Sequence, residues 1–276
     1  MFDILGIPPQ ALFGQLLLGL INGSFYALLS LGLAIIFGLL NIINFAHGAQ
    51  YMMGAFMAWF LLQYLGIGYW PSLVLVPFIV GGFGVIIERT MLQRLYKLDH
   101  LYGLLLTFGL ALVIQGLFRH QYGSSGQPYP IPDILQGGQR LTFMFLPNYR
   151  AWVIVFSLAI CTATWLLIER TKLGSYLRAA TENPTLVRAF GINVSRMITL
   201  TYGAGVGLAA LAGVLAAPIY QVNPLMGADL IIVVFAVVVI GGMGSILGSV
   251  LTGFGLGVVE GLTKVFYPEA SNTVIF

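Results

Sequence analysis

The chain has 276 residues, of which 59% are hydrophobic and only 8% are charged. A soluble domain usually carries about 25% charged residues, so this composition excludes a soluble globular protein. The basic residues behind the net charge of +3 lie in loops, where they fit membrane orientation better than binding to nucleic acid. Because lipid can face apolar side chains directly, we predict an all-α, polytopic bundle of transmembrane helices in a lipid bilayer.

Long apolar runs follow one another along the whole chain. A helix needs roughly 20 apolar residues to cross a bilayer. The runs cover residues 12–40, 51–65, 71–87, 101–118, 152–168, 198–219 and 230–265. The first and last are too long for one untilted helix, so we expect breaks at Gly32 and Gly38 and a hinge near Gly241, Gly242 and Gly244. The prediction is about eight to ten membrane segments, with broken helices.

A short polar segment separates the first two apolar runs. It contains Asn41, Asn44, His47 and Gln50, three residues apart, which is the spacing of near neighbours on a helix. In hydrocarbon such side chains need hydrogen-bond partners. A broken helix beside a cavity would put the four residues on a substrate path. Direct bonds between packed helices would instead make them interhelical glue, and both alternatives stay open.

Basic residues cluster in two connections and indicate the orientation of the chain. One cluster lies within residues 89–97 and the other within residues 170–196. The positive-inside rule predicts that both connections are cytoplasmic. The intervening loop, residues 119–150, contains several prolines and is predicted to be an irregular external loop. Glu88 and Glu169 precede the basic clusters, and we expect both carboxylates to reach water at the ends of their helices.

Glycines recur at helical spacing in the last long run. Gly253, Gly257 and Gly261 are four residues apart, so they share one side of a helix. Small residues let the backbones of membrane helices approach closely, which favours their association. We therefore predict that these three glycines form a helix-packing surface. The pair Gly19 and Gly23 has the same spacing, although a single pair is as readily explained by chance.

The second basic connection, residues 169–197, contains the signals of a short helix. Asn183 can accept hydrogen bonds from the first turn, and Pro184 suits the first helical position. Gly191 can end the helix with a left-handed backbone. The predicted helix therefore covers residues 184–190.

One side of this predicted helix is apolar. Leu186, Val187 and Phe190 share that side at helical spacing, and Arg188 is directed elsewhere. A helix this short is not stable alone in water, so it needs a surface to pack against. That surface is either its own protein and the lipid headgroups, or a groove on a cytoplasmic partner.

Three motifs, in order along the chain, resemble those of one protein family. They are GLLNIINFAHGAQYMMGA at residues 38–55, RAATENPTLVRAFGINV at 178–194 and AVVVIGGMGSILGSVLTG at 236–253. Together they resemble the permease subunits of ABC importers for branched-chain amino acids, and most closely the shorter of the two paired permeases. The resemblance implies a multi-pass permease in the inner membrane of a bacterium, with leucine, isoleucine and valine as substrates.

The resemblance also implies partners and a coupling site. The partners are a homologous second permease, two cytoplasmic ATPase subunits and a periplasmic substrate-binding protein. Coupling to ATP hydrolysis is implied for Arg178, Glu182, Asn183, Pro184, Arg188 and Gly191. The same architecture could instead import urea, short amides or other nonpolar amino acids. An ion-coupled secondary transporter and a membrane-embedded enzyme are the alternatives from other classes.

The chain contains no signature of an enzyme. It has no GxxxxGK[ST] phosphate-binding loop, no HExxH motif and a single cysteine, Cys161. No catalytic residue, cofactor or metal site is therefore predicted, and ATP hydrolysis is expected on other chains. We interpret residues 1–276 as one transmembrane permease domain. Family members usually end with a further helix, and residues 273–276 resemble the start of one, so we expect a truncated C-terminal end.

Overall fold

The computed structural model describes residues 8–96, 98–141 and 145–267. In chain order its helices are α1 (Pro9–Leu33), α2 (His47–Leu65), α3 (Tyr69–Ile87), α4 (Gln93–Leu95), α5 (His100–Tyr122), α6 (Asn148–Arg170), α7 (Lys172–Glu182), α8 (Pro184–Ala189), α9 (Val194–Ala216), α10 (Ala228–Gly241) and α11 (Ile246–Phe266). Two π-helical segments, Ala34–Leu39 and Glu88–Leu92, follow α1 and α3. The connection between α5 and α6 holds a 3₁₀ turn (Asp133–Leu135) and an antiparallel hairpin of β1 (Gly138–Arg140) and β2 (Phe145–Pro147).

Six of the described helices are long and apolar enough to cross a membrane. They are Pro9–Gly38, Tyr69–Leu95, His100–Tyr122, Asn148–Arg170, Val194–Ala216 and Ile246–Phe266. The 19-residue α2 and the 14-residue α10 also belong to the bundle. The predicted all-α, polytopic bundle is confirmed. Lys97 and the apolar residues 273–276 lie outside the described residues.

The first apolar run is continuous, although we predicted breaks at Gly32 and Gly38. α1 passes through Gly32 and leads directly into the π-helical segment. A Cβ on Gly32 would lie 2.6 Å from the carbonyl oxygen of Gly205, and one on Gly38 would lie 2.2 Å from the backbone nitrogen of Gly244. The two glycines therefore serve close helix contacts, and the chain leaves helical geometry later, at Asn41.

The predicted glycine surface on α11 is confirmed. Cβ atoms built on Gly253, Gly257 and Gly261 would lie 2.2 to 2.6 Å from backbone atoms of α1. Gly253 contacts Ala27, and Gly261 contacts Gln15. Because the contacts move towards the start of α1 as α11 proceeds, the two helices are antiparallel.

α1 and α9 form the centre of the bundle, and α5 and α6 lie at its edge. The most apolar window is 83% buried in the first span and 78% buried in α9. The corresponding values are 17% for α5 and 22% for α6. The outer helices thus present apolar side chains outwards, as expected for helices in contact with lipid or with another membrane subunit.

Aromatic hydroxyl groups join three helices at one end of the bundle. The Tyr149 hydroxyl, at the start of α6, lies 3.1 Å from the Tyr69 hydroxyl and 2.9 Å from the carbonyl oxygen of Leu215. These contacts bring the starts of α3 and α6 to the end of α9. Gln127 of the connection between α5 and α6 also pairs with Val222, beyond the end of α9, so this end of the bundle carries the loop that we predict to be external.

Glu88, at the opposite end, is fully buried, although we predicted that it reaches water. Its carboxylate accepts hydrogen bonds of 2.6 Å from the hydroxyl groups of Tyr96 and Thr199. Burial and the contact with Glu88 raise the pKa of Tyr96 above its usual value, so the phenol keeps its proton and donates. Two charge-assisted bonds offset part of the cost of desolvating the carboxylate, and the bond from Thr199 joins the end of α3 to the start of α9.

Candidate translocation and coupling site

The predicted cytoplasmic helix is present as α8. The Asn183 side chain accepts a 3.0 Å hydrogen bond from the backbone N–H of Leu186, and Pro184 is the first helical residue. Gly191 has a φ of +80°, in the left-handed region that favours glycine after a helix. The predicted cap and termination are confirmed, and the helix is one residue shorter than predicted.

The apolar side chains of α8 divide between two faces. Leu186 is 55% exposed and Phe190 is 77% exposed, whereas Val187 is only 6% exposed. Val187 packs with Ala180 of α7 and Val194 of α9. The prediction that all three side chains share one face is therefore wrong for Val187, because adjacent helical residues do not point the same way. Val187 anchors α8 on the protein, and Leu186 and Phe190 form an exposed apolar pair.

Charged residues lie near this exposed pair in the sequence. Glu182 and Arg188 are exposed, and Arg178 forms an ion pair of 3.2 Å with Glu169. An exposed ion pair contributes at most about 1 kcal/mol, so it ties α7 to the end of α6 only loosely. The connection thus combines exposed apolar and exposed charged side chains, the composition from which protein–protein contacts are built.

The chain leaves helical geometry between α1 and α2, as predicted for a broken helix. Asn41 has a φ of +55°, which asparagine tolerates better than most side chains. Thr107 of α5 supplies hydrogen bonds to the break. Its hydroxyl accepts from the Phe45 N–H at 3.1 Å, and its one proton lies within reach of the carbonyl oxygens of Ile43 in the break, at 3.2 Å, and of Leu104 in α5, at 3.1 Å. Sequence reasoning missed Thr107, because a threonine inside an apolar run does not indicate which helix it faces.

Three of the four polar residues predicted for a substrate path are packed inside the protein. The side chains of Asn44, His47 and Gln50 are fully buried. The Asn44 amide donates to Gln50 at 2.9 Å, and His47 Nε2 donates to the Leu29 carbonyl at 3.0 Å. The His47 bond joins α2 to α1, as expected of interhelical glue, whereas the Asn44–Gln50 bond joins the break to the start of α2. A role of these residues in the path stays a prediction. Asn41, by contrast, is exposed and lines a cavity.

Replacing Thr107 with valine removes the hydroxyl and keeps the side-chain shape. The Phe45 N–H then loses its partner, which costs about 1–3 kcal/mol, so we expect a lower melting temperature for the purified permease. Thr90→Val is the matched control, because among the described residues the exposed Thr90 hydroxyl donates only to the carbonyl of Ile86, one turn earlier. Equal melting temperatures for the two variants would show that Thr107 does not hold the break.

A cavity of about 540 Å³ lies beside the break. Asn41 and its neighbours line one part of it, and the starts of α5 and α9 line another. Pro184 and Arg188 of α8 also border it. We call it the inner cavity. Because it is shared by the broken helix and by α8, a displacement of α8 changes its shape.

A second cavity, of about 280 Å³, lies between α1, α2 and the connection from α9 to α10. We call it the outer cavity. Tyr51 lines it, only a few residues after the break that borders the inner cavity. Burial raises the pKa of Tyr220 above its usual value, so the phenol keeps its proton and donates to Asn22 Oδ1 at 3.1 Å.

Glu260 of α11 belongs to the hydrogen-bond network of the outer cavity. It is 7% exposed. It accepts from the Tyr26 hydroxyl at 2.9 Å and from the Asn22 amide at 3.2 Å, and it pairs with Lys264. A buried carboxylate with this many partners is fully accounted for by structure, so Glu260 does not require a role in proton transfer.

Comparison with known proteins identifies the family of the chain. The family described as the permease component of branched-chain amino acid transport systems matches residues 15–276. The chain belongs to this family. The assignment made from the three sequence motifs is thereby confirmed, and the chain is a permease component and a multi-pass membrane protein.

Named relatives cover most of this permease. The high-affinity branched-chain amino acid transport system permease protein BraD of Pseudomonas aeruginosa is 32% identical over 95% of this chain and 90% of the relative. The permease protein LivH of Escherichia coli, from a transport system of the same description, is 31% identical over 95% and 89%. A probable branched-chain amino acid transport permease protein, LivM of Methanocaldococcus jannaschii, is 28% identical over 82% and 74%. No solved structure matches the chain.

Proposed function

We propose that this permease is a membrane subunit of an ATP-driven importer for leucine, isoleucine and valine in a bacterial inner membrane. The substrate class is supported by the names of the relatives. Relatives of two kinds, LivH and LivM, support a homologous second permease as a partner. The motor would be two cytoplasmic ATPase subunits, and a periplasmic binding protein would deliver the substrate.

The exposed apolar pair on α8 is the observation that carries this proposal. Leu186 and Phe190 are exposed on a short helix, and Val187 packs that helix against the rest of the protein. Exposed apolar side chains on a capped, amphipathic helix are typical of helix-in-groove docking. We propose that the pair inserts into a groove on an ATPase subunit, with Arg178, Glu182 and Arg188 around it.

Packing supports transmission of force from α8 to the bundle. Val187 contacts Val194 at the start of α9, and α9 is buried against α1, α2 and α3. Gly205 of α9 approaches Gly32 of α1 so closely that a Cβ on either glycine would collide with the other helix. Helices in such backbone contact move together, because close-packed interiors transmit displacement.

In the proposed orientation, α8 and the inner cavity lie on the cytoplasmic side of the protein. This orientation rests on the two basic connections, which the positive-inside rule assigns to the cytoplasm. The break at Asn41 borders the inner cavity with α8, so the start of α1 and the outer cavity would face the periplasm. Asn41 is then the predicted path residue that substrate meets last, and the buried Asn44, His47 and Gln50 would separate the two cavities.

The double substitution Leu186→Asp and Phe190→Asp tests the coupling proposal. Both side chains are exposed, so the permease should fold normally. Charges in the apolar centre of the contact should abolish co-purification of the ATPase subunits and uptake of leucine into proteoliposomes. The control is Ile134→Asp, which adds a charge at a 79% exposed apolar position on the external loop.

The control should retain the ATPase subunits. If the double variant also retained them at wild-type stoichiometry and imported leucine at the wild-type rate, α8 would not be the docking element. The proposal that this permease is driven by ATPase subunits would then lose its structural support.

A further inference from the structure

Two polar groups in the outer cavity are left without a partner. The Tyr51 side chain is 1% exposed and lines the cavity. The Asp229 carboxylate, in the first turn of α10, stands at the cavity rim. In the part of the chain that the structure describes, neither group forms a hydrogen bond or an ion pair. The Tyr51 hydroxyl faces the cavity on a side chain that is otherwise enclosed, so it is placed to donate to a molecule bound there.

The other polar groups of the cavity are already committed to one another. Tyr26 donates to Glu260, and Tyr220 donates to Asn22. The Asn223 side chain is bonded within its own turn, where its oxygen accepts from the Leu225 N–H. These groups shape the wall, and Tyr51 and Asp229 remain available to a ligand.

The rest of the wall is apolar. Phe25, Met226 and Leu230 line the same cavity. Small-molecule sites combine such apolar walls with a few fixed polar groups. At about 280 Å³ the cavity has room for a small metabolite only.

We propose that the outer cavity binds a free α-amino acid with an apolar side chain. Asp229 accepts hydrogen bonds from the ammonium group, and the Tyr51 hydroxyl donates to the carboxylate. The apolar side chain lies against Phe25, Met226 and Leu230. This assignment rests on the proposed function as an importer, and it adds a recognition site in the permease itself.

The geometry of α10 supports this division of charge. α10 begins at Ala228, beside the cavity, and the amino end of a helix carries a partial positive charge that attracts carboxylates. Asp229 in the same turn supplies the opposite charge. A zwitterion therefore finds both signs at one rim, whereas a neutral amide such as urea has neither an ammonium group for the exposed Asp229 carboxylate nor a carboxylate for the amino end of α10.

Binding of radiolabelled leucine tests the proposal. The assembled importer, reconstituted in nanodiscs without the binding protein, is measured by scintillation proximity. We expect Asp229→Asn and Tyr51→Phe each to weaken leucine binding about ten-fold or more, because a hydrogen bond to a charged group contributes about 1.5–3 kcal/mol. Asp133→Asn and Tyr64→Phe are the controls, since they make the same chemical changes at positions that do not line the cavity.

Competition with parts of leucine identifies the role of each residue. Isopentylamine keeps the ammonium group and 4-methylpentanoate keeps the carboxylate. We expect Asp229→Asn to abolish competition by the amine and Tyr51→Phe to abolish competition by the acid. Wild-type leucine affinity in both variants, or competition by urea at the concentrations at which leucine competes, would overturn the assignment.

The result is separable from the coupling proposal. Leucine binding reports on the cavity, whereas co-purification with the Leu186→Asp and Phe190→Asp variant reports on the ATPase contact. Failure of one readout with success of the other identifies which proposal is wrong.

Discussion

The substitution Gly257→Leu is expected to abolish recovery of folded permease. A Cβ at this position would lie 2.2 Å from the carbonyl oxygen of Gly19 and 2.5 Å from backbone atoms of Gly23. Overpacking costs about 1–3 kcal/mol where neighbouring side chains can move aside. Backbone atoms cannot rotate away, so α1 and α11 would have to separate along their whole antiparallel contact. Size-exclusion chromatography and thermal unfolding of the detergent-purified protein measure this effect.

Gly255→Leu is the matched control on the same helix. Gly255 is exposed and has no atom within 4 Å of a built Cβ. The control therefore adds the same side chain and the same gain in helix propensity over glycine, without the collision. A monodisperse Gly257→Leu variant with the melting temperature of Gly255→Leu would disprove the close packing of α1 on α11.

The helices of this permease could be predicted because the bilayer fixes their length and composition. Each predicted apolar run corresponds to one described helix, except the last run, which contains α10 and α11. The glycines at 253, 257 and 261 are in contact with α1 as expected. The hinge between α10 and α11 also lies where predicted, with positive φ at Gly242 and Gly244. These features depend on local sequence or on spacing within one helix, and such signals need no knowledge of the neighbouring helix.

Features that depend on which helices are neighbours could not be predicted. Thr107 bridges a break more than sixty positions earlier in the chain, and Glu88 is paired with Thr199 across a separation of 111 residues. Val187 turns inwards because α9 returns beside α8. A single sequence does not show these pairings, so the inner and outer cavities could be described only from the tertiary structure.

In the proposed coupling, the turn at the end of α8 connects the docking helix to α9, so coupling should depend on the shape of this turn. The chain reverses at Gly191 and enters α9 a few residues later, where Asn193 caps that helix by accepting from the Arg196 N–H at 3.0 Å. A rigid, correctly shaped turn is needed if a displacement of α8 is to reach α9. Gly191 therefore sets the angle between the docking surface and the helix at the centre of the bundle.

The substitution Gly191→Val is expected to uncouple ATP hydrolysis from transport. Valine disfavours a φ of +80°, and this strain of about 1–3 kcal/mol forces the turn to change shape. No atom lies within 4 Å of a built Cβ at Gly191, so the strain is in the backbone and the fold should persist. We expect leucine uptake to fall about ten-fold or more, the factor that corresponds to 1.4 kcal/mol, while ATP hydrolysis by the assembled complex continues.

Two further variants separate coupling from simple backbone strain. Gly66→Val places the same residue at a φ of +64°, also with no atom within 4 Å, in the turn between α2 and α3 at the opposite end of the bundle. It should carry similar strain and leave the ratio of uptake to ATP hydrolysis unchanged. Gly191→Asn should restore much of that ratio, because asparagine tolerates the left-handed region. If Gly66→Val lowered the ratio as much as Gly191→Val, or if Gly191→Val transported at the wild-type ratio, the turn after α8 would have no role in transmitting the motion.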